Sequence, residues 1–270
     1  MKRLLCLFLS TVLIFCLVSC SSDDGLKNKN PEEIAAADLL ALVDHRAKIG
    51  YDDNAFKITV SAVERVTVSG QSGSLKTVVE ILLKETATEQ IASVVTTASS
   101  PGAPDAKSTV YFKNGYLYSV SNGLTYKTKT TLEETTDNAS VSLKNVSDII
   151  KDAKETKYTV EDDGTYKIAV KLDPKSDNEF ANKLLSGINS EIDTNGENIT
   201  VNTFNVVMTV NDKFFLDSLE MRLNFRLRTS DVVANMYLEI LVESELLGPN
   251  YKIPVPSGFN IDKATEVDEL

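Results

Sequence analysis

Between Phe215 and Val242 the sequence alternates apolar and polar residues with a period of two, far longer than an ordinary strand sustains. Odd positions read Phe215, Asp217, Leu219, Met221, Leu223, Phe225 and Leu227, with Ser218, Glu220, Arg222, Asn224 and Arg226 between them. After a short break Val232, Ala234, Met236, Leu238, Ile240 and Val242 repeat the pattern against Asn235, Glu239 and Glu243. Successive side chains of a strand point to opposite faces, so strict alternation means one buried face and one wet face. Typical strands run about 5–6 residues, whereas a run of roughly 13 at about 3.3 Å each extends on the order of 40 Å. Long antiparallel strands with one polar face predict a single, strongly curved sheet whose apolar face must be covered.

The first half carries the same signature. Ile58, Val60, Ala62, Val66 and Val68 are apolar at even positions, while Lys57, Thr59, Ser61, Arg65 and Thr67 face the other way. The pattern resumes from Leu75 to Lys84, with Ser69-Gly70-Gln71-Ser72-Gly73-Ser74 as the expected turn. Ile91 to Thr97 reads as a further strand, and Ser99-Ser100-Pro101-Gly102-Ala103-Pro104 as an exposed loop. The sharpest local signal is Tyr111-Phe112-Lys113-Asn114-Gly115-Tyr116-Leu117-Tyr118. Its Asn-Gly pair supplies the two positive φ angles of a type I′ turn, which predicts a tight hairpin. Asn122-Gly123 predicts a second turn into Thr125-Tyr126-Lys127. Strands are also expected near Lys157–Val160, Tyr166–Leu172 and Ile199–Val210, the last apolar on both faces in its second half and so expected to be covered on both sides.

Helices are expected to supply the cover. Asn30 suits an N-cap, Pro31 the first helical position and Glu32-Glu33 its positive end, and Ile34, Leu39, Leu42 and Val43 follow at helical spacing toward Gly50. Leu143, Val146, Ile149 and Ile150 make a short second stripe. Ser176-Asp177-Asn178-Glu179 reads as a capping box before Phe180, Leu184, Leu185 and Ile188, with an end near Asn195-Gly196. The expected fold class is therefore α+β: a large curved antiparallel sheet, a half-open β-barrel, with helices packed on its concave face.

The amino terminus speaks to location. Lys2 and Arg3 precede an apolar run from Leu4 to Cys16, then Leu17-Val18-Ser19-Cys20 and polar Ser21-Ser22-Asp23-Asp24. A positive segment, an apolar segment and a small-residue cleavage site define an export signal, and this run is shorter than the roughly 20 residues a membrane span needs. Leu17-Val18-Ser19-Cys20 resembles the lipobox of bacterial lipoproteins. That resemblance implies that Cys20 is diacylated and becomes the amino terminus, possible acyl groups including palmitate. The expected organisation is a signal peptide over 1–19, a lipidated terminus and tether over 20–30, and one domain over 31–270 with an acidic carboxy-terminal tail. The protein is expected at the extracytoplasmic face of the bacterial cell membrane, where two acyl chains hold far better than one.

Processing before Cys20 removes Cys6 and Cys16, leaving the folded part without a thiol for a disulfide, a metal or a nucleophile. It also removes two cations, leaving 26 basic against 39 acidic residues and a net charge of −13. Nucleic acid is a poor partner for such a surface. The single histidine, His45, cannot by itself make a His-based triad or a His-rich metal site and reads as a surface or interface residue. Asp162-Asp163-Gly164 and Asp193-Thr194-Asn195-Gly196 lack the closing glutamate of a calcium loop and read as turns. Glu133-Glu134 and the acids of Glu266 to Glu269 read as solvated faces. No catalytic residue, cofactor or metal is expected, and an envelope hydrolase lacks its usual residues.

Tyr111 to Tyr118, followed by Gly123-Leu124-Thr125-Tyr126-Lys127 and the ending Ile253-Pro254-Val255-Pro256 before an acidic tail, resembles LolA-like and LppX/LprG-like lipoproteins. The resemblance implies a hydrophobic cavity between sheet and helices that carries acyl chains or lipidated molecules. The side chains Leu219, Met221, Leu223, Phe225, Met236, Leu238 and Ile240 admit two readings, a filled core or a ligand-lined cavity, because both require the same residues. The expected function is non-enzymatic binding or carriage of a hydrophobic ligand. The alternative is a cell-envelope interaction module with a filled core and a protein partner.

Overall fold

The computed structural model describes residues 36, 39, 40, 43, 54–86, 88–132, 153–172, 198–212, 215–228 and 233–268. These form one 12-stranded sheet. Its strands are β1 (Ala55–Val68), β2 (Gln71–Glu85), β3 (Gln90–Ser99), β4 (Ala106–Lys113), β5 (Tyr116–Ser121), β6 (Leu124–Lys129), β7 (Ala153–Val160), β8 (Tyr166–Leu172), β9 (Asn198–Val210), β10 (Leu216–Arg228), β11 (Val233–Gly248) and β12 (Thr265–Glu266). The order is β12-β6-β5-β4-β3-β2-β1-β11-β10-β9-β8-β7. Two hairpin meanders thus run outward from the centre, joined where β1 pairs with β11. Every pairing is antiparallel except the short β12–β6 bridge.

The α+β expectation is overturned. Among the described residues strand dominates, no helix reaches seven residues, and the architecture is one large sheet rather than a half-barrel lined by packed helices. Helical conformation among the described residues is confined to Ala36, Leu39, Leu40, Val43, Leu132 and a 3-10 turn at Ile261–Lys263. The first turn also differs from expectation. Ser69 and Gly70 adopt φ of 50° and 82° and make a two-residue turn where six residues were expected, so β1 and β2 extend to 14 and 15 residues. The stripe around 143–150 and the stretch 176–195 lie outside the described residues, as do Ile34 and Leu42 of the first stripe.

The Asn-Gly signals read correctly. Asn114 and Gly115 have φ of 46° and 87°, and Asn122 and Gly123 of 52° and 77°, as a type I′ turn requires. The hairpin they predict pairs Lys113 with Tyr116 and Phe112 with Leu117. Alternation in the last third also holds: Leu219, Met221, Leu223 and Phe225 are buried, with Glu220, Asn224 and Arg226 on the other face. In β9 the expected double cover is absent. Phe204, Val206, Met208 and Val210 are buried, but Val207 and Thr209 between them are half-buried.

One apolar cluster runs along a single face of the sheet from β3 through β1 and β11 to β8, and Leu39, Leu40 and Val43 belong to it. Val60, Ile168, Met208 and Leu219 are wholly inaccessible. Each side chain of that size contributes roughly 1.5–3 kcal/mol when fully buried. The opposite face is covered at one end by the irregular segment 249–268. Ile253, Phe259, Ile261 and Ala264 pack there on Ile91, Tyr111 and Tyr118. Lys84 Nζ donates to the carbonyls of Pro249 (2.8 Å) and Tyr251 (3.4 Å), and the Val267 amide donates to the Lys127 carbonyl (2.9 Å). Glu266 meets Lys127 at 3.3 Å, and Lys127 also lies over the Tyr116 ring at 4.6 Å. The expected acidic tail is therefore, through residue 268, a docked strap.

Candidate functional site

The apolar face is not apolar throughout. Even positions of β1 point to it, and Glu64 is an even position. Its neighbours in register are Leu75 on β2 and Leu238 on β11. The side chain is only 6% exposed, and its Oε2 has no hydrogen-bond partner. On β2, Thr77 faces Ala62 and Ala98, is 1% exposed, and its Oγ1 likewise has no partner. Thr77 is thus the diagonal neighbour of Glu64 across one strand pair, a spacing of about 7–8 Å. Two unsatisfied polar groups stand side by side within an oily surface.

Native proteins satisfy nearly all buried polar atoms, because an orphaned one costs about 1–3 kcal/mol and a charge more. Glu64 relieves part of that cost by holding its proton. Burial alone pushes its carboxyl up from 4.5 to about 7. No cation on the apolar face offsets this among the described residues of the flanking strands. Arg65 points the other way and lies over the Tyr237 ring at 5.1 Å. Glu64 therefore stands at neutral pH between a carboxylate in need of a donor and a carboxyl able to give a proton to an acceptor.

The position of the pair along the strands adds to its meaning. Toward one end of the sheet Phe56, Ile58, Val60 and Ala62 are sealed from solvent, as are Ile240 and Val242 opposite them. Toward the other end Val66, Leu75, Met236 and Leu238 are only half-buried, while Leu223, Phe225 and Ala234 on the same face beside them are buried. Glu64 and Thr77 mark the border between the sealed core and this half-open oily margin. Predominantly apolar walls with a few placed polar groups are the usual lining of a small-molecule site.

A concavity lies on the opposite face across β7 to β10, with a volume of about 320 Å³. Glu155, Lys157, Lys171, Asn205, Glu220 and Arg222 contribute to its walls. Its charges answer one another: Lys157 meets Glu155 at 3.3 Å, and Arg222 pairs with Glu220 and, at 3.5 Å, with Glu239. Exposed pairs of this kind contribute little, and nothing in this wet groove asks for a ligand.

Of the positions singled out in the sequence, Cys20, His45, Glu133, Glu134, Glu269 and the Asp193–Gly196 stretch lie outside the described residues. Asp162-Asp163-Gly164 is a turn, with Gly164 at φ 83° and the Asp163 carboxylate accepting from the Thr165 amide at 2.9 Å. That bond holds the Asp163 carboxyl below its ordinary range. Among the described residues no group of three or more His, Cys, Asp and Glu is placed to hold a metal ion, and no helix is long and apolar enough to cross a membrane. Met236 and Leu238 lie beside Glu64 on the half-buried margin, whereas Ile240 belongs to the sealed part of the face. Glu64 and Thr77 were missed, although each interrupts an apolar period of two at a position that should point inward.

No family model matches the chain, and no curated protein matches it. Among solved structures, LprF from Mycobacterium bovis is similar at 10% identity, over 86% of this chain and 99% of that one, with a TM-score of 0.36. A putative AttH from Nitrosomonas europaea is similar at 11% identity, over 73% of this chain and 53% of that one, with a TM-score of 0.22. A DUF1329 family protein from Desulfovibrio piger shares 10% identity over 76% of this chain and 90% of that one, with a TM-score of 0.18. At such identities and TM-scores neither activity nor ligand transfers from these proteins to this chain.

Proposed function

We propose that this chain is a lipid-anchored, extracytoplasmic binding protein that holds a hydrophobic ligand against the apolar face of its sheet, without catalysing a reaction. The observation that carries the reading is the half-buried margin of Val66, Leu75, Met236 and Leu238 around two orphaned buried polar atoms, Glu64 Oε2 and Thr77 Oγ1. A core that served stability alone would gain by replacing both groups with aliphatic side chains. The anchor rests on the run from Lys2 to Cys20, with the Cys20 thiol as the site of diacylglyceryl attachment. The acidic balance of the chain fits a protein that meets the membrane through its acyl groups rather than by lying on anionic lipid.

Two measurements test this. Native mass spectrometry and organic extraction of the protein purified from membranes should find a co-purifying hydrophobic molecule in amounts comparable to the chain. A ligand-free protein from every preparation would overturn the binding function. Metabolic labelling with a palmitate analogue should mark the wild-type chain and not Cys20→Ser, and equal labelling of both would overturn the anchor.

A second reading is an envelope module with a filled core that recognises another protein. The complete burial of Val60, Met208 and Leu219 favours it for the sealed part of the face. One stoichiometric protein partner after crosslinking in intact cells, together with no bound lipid, would select it over the first.

A further inference from the structure

We propose that Glu64 and Thr77 are the head-group subsite of this surface, and that its ligand is an amphiphile whose polar end donates hydrogen bonds, an amine above an alcohol and a carboxylate last. The proposal rests on the reading of the face as a ligand surface and deepens it by naming the chemistry of the ligand's polar end.

The groups present define what is missing. Glu64 Oε2 and Thr77 Oγ1 are both without a partner, so they do not bond to each other. A single donor seated between diagonal neighbours about 7–8 Å apart can reach both. The aliphatic neighbours Ala62, Val66, Leu75, Leu238 and Met236 supply no hydrogen-bonding group in place of the ligand. On the same face, the described residues of β2 from Gly73 to Ile81, of β3 from Ala92 to Ala98, of β10 from Leu219 to Leu227 and of β11 from Ala234 to Val242 contribute no acid, lysine, arginine or histidine. A head group at this point therefore meets one carboxyl and one hydroxyl in a low-dielectric setting. An ammonium neutralises the carboxylate, a hydroxyl satisfies it without neutralising it, and an anionic head is repelled. The half-buried side chains of Val66, Leu75, Met236 and Leu238 would border the start of the apolar chain.

The test uses the full chain in nanodiscs of uncharged phosphatidylcholine, with three photoreactive dodecyl probes bearing an amine, an alcohol or a carboxylate. Labelled peptides are mapped. The amine should mark the segments containing Leu75, Met236 and Leu238 at least roughly ten-fold more efficiently than the carboxylate, as expected for a charge-assisted bond. Glu64→Gln should bring the amine down to the level of the alcohol. Thr77→Val, which removes the hydroxyl at nearly constant shape, should lower the alcohol several-fold. Glu80→Gln makes the same change of charge on the opposite face, where Glu80 is paired with Lys57 at 3.6 Å, and should leave labelling unchanged. Equal labelling by all three probes, or equal losses in Glu64→Gln and Glu80→Gln, would overturn the head-group subsite while leaving a hydrophobic ligand in place. Preference for the carboxylate would overturn it too. Absence of labelling on these strands by any probe, together with a lipid-free preparation, would overturn both this subsite and the binding function.

Discussion

Replacing Glu64 with glutamine should stabilise the protein at neutral pH and change little in mild acid. Burial raises the Glu64 carboxyl from 4.5 to about 7, and at 1.36 kcal/mol per pKa unit this corresponds to about 3 kcal/mol. The sign follows from proton counting. Between pH 4.5 and about 7 the folded chain binds more protons at this group than the unfolded chain, so stability falls as pH rises through the window. Below the window both states hold the proton and the cost is absent; above it the full cost applies. Glutamine keeps the shape and stays neutral, so it removes the slope. Asp217, also raised by burial, contributes to both proteins alike and cancels in the difference. Urea titrations followed by circular dichroism, suited to a sheet protein with no tryptophan, measure the effect. With a slope of about 3 kcal/mol per molar urea, the variant's midpoint should exceed the wild type's by about 1 M at pH 7.5 and match it near pH 4.5. Parallel curves across that range would refute the reasoning, because the carboxyl would then have a partner or open access to water.

Other perturbations probe the frame around the site. Leu219→Ala, at a wholly buried position, should cost about 2–5 kcal/mol in the same titration. Gly115→Ala should cost about 1 kcal/mol; the added Cβ lies 3.9 Å from the nearest atom, so the penalty comes from φ of 87° rather than from a clash. Lys84→Met removes the two bonds to the Pro249 and Tyr251 carbonyls and should speed hydrogen exchange in 249–268 while β1 and β2 stay protected. Truncation after Ser257 uncovers Tyr111 and Tyr118 and should change the near-ultraviolet tyrosine signal without loss of the far-ultraviolet strand signal.

The strands were legible because alternation and turn chemistry are local. Asn114-Gly115 and Asn122-Gly123 fix their hairpins within four residues each, and the period of two in 215–242 assigns each side chain to a face. The placement of the carboxy-terminal strap was not legible. Ile253, Phe259 and Ile261 are too widely spaced to give a period, and their partners Ile91, Tyr111 and Tyr118 are more than a hundred residues away. The helix-covered class did not hold for the described residues, where long-range strand pairing dominates; helical conformation survives at Ala36, Leu39, Leu40 and Val43, and the expected capping residues lie outside the described residues. Ser69-Gly70 misled in another way: its flanking Gln71, Ser72 and Ser74 are polar and look like loop, yet they pair with Val68, Thr67 and Arg65 as exposed strand. Glu64 and Thr77 were visible all along as breaks in two otherwise regular patterns. Only the strand register makes them neighbours.

The central claim is that a ligand lies on the half-open end of the apolar face, with its polar end at Glu64. A crystal structure of the protein purified from its own membranes tests it directly. The account predicts density for an apolar chain against Leu75, Met236 and Leu238, ending in an atom within hydrogen-bond distance of a Glu64 carboxylate oxygen. A face closed by the chain's own side chains, with Glu64 bonded to one of them, would contradict it.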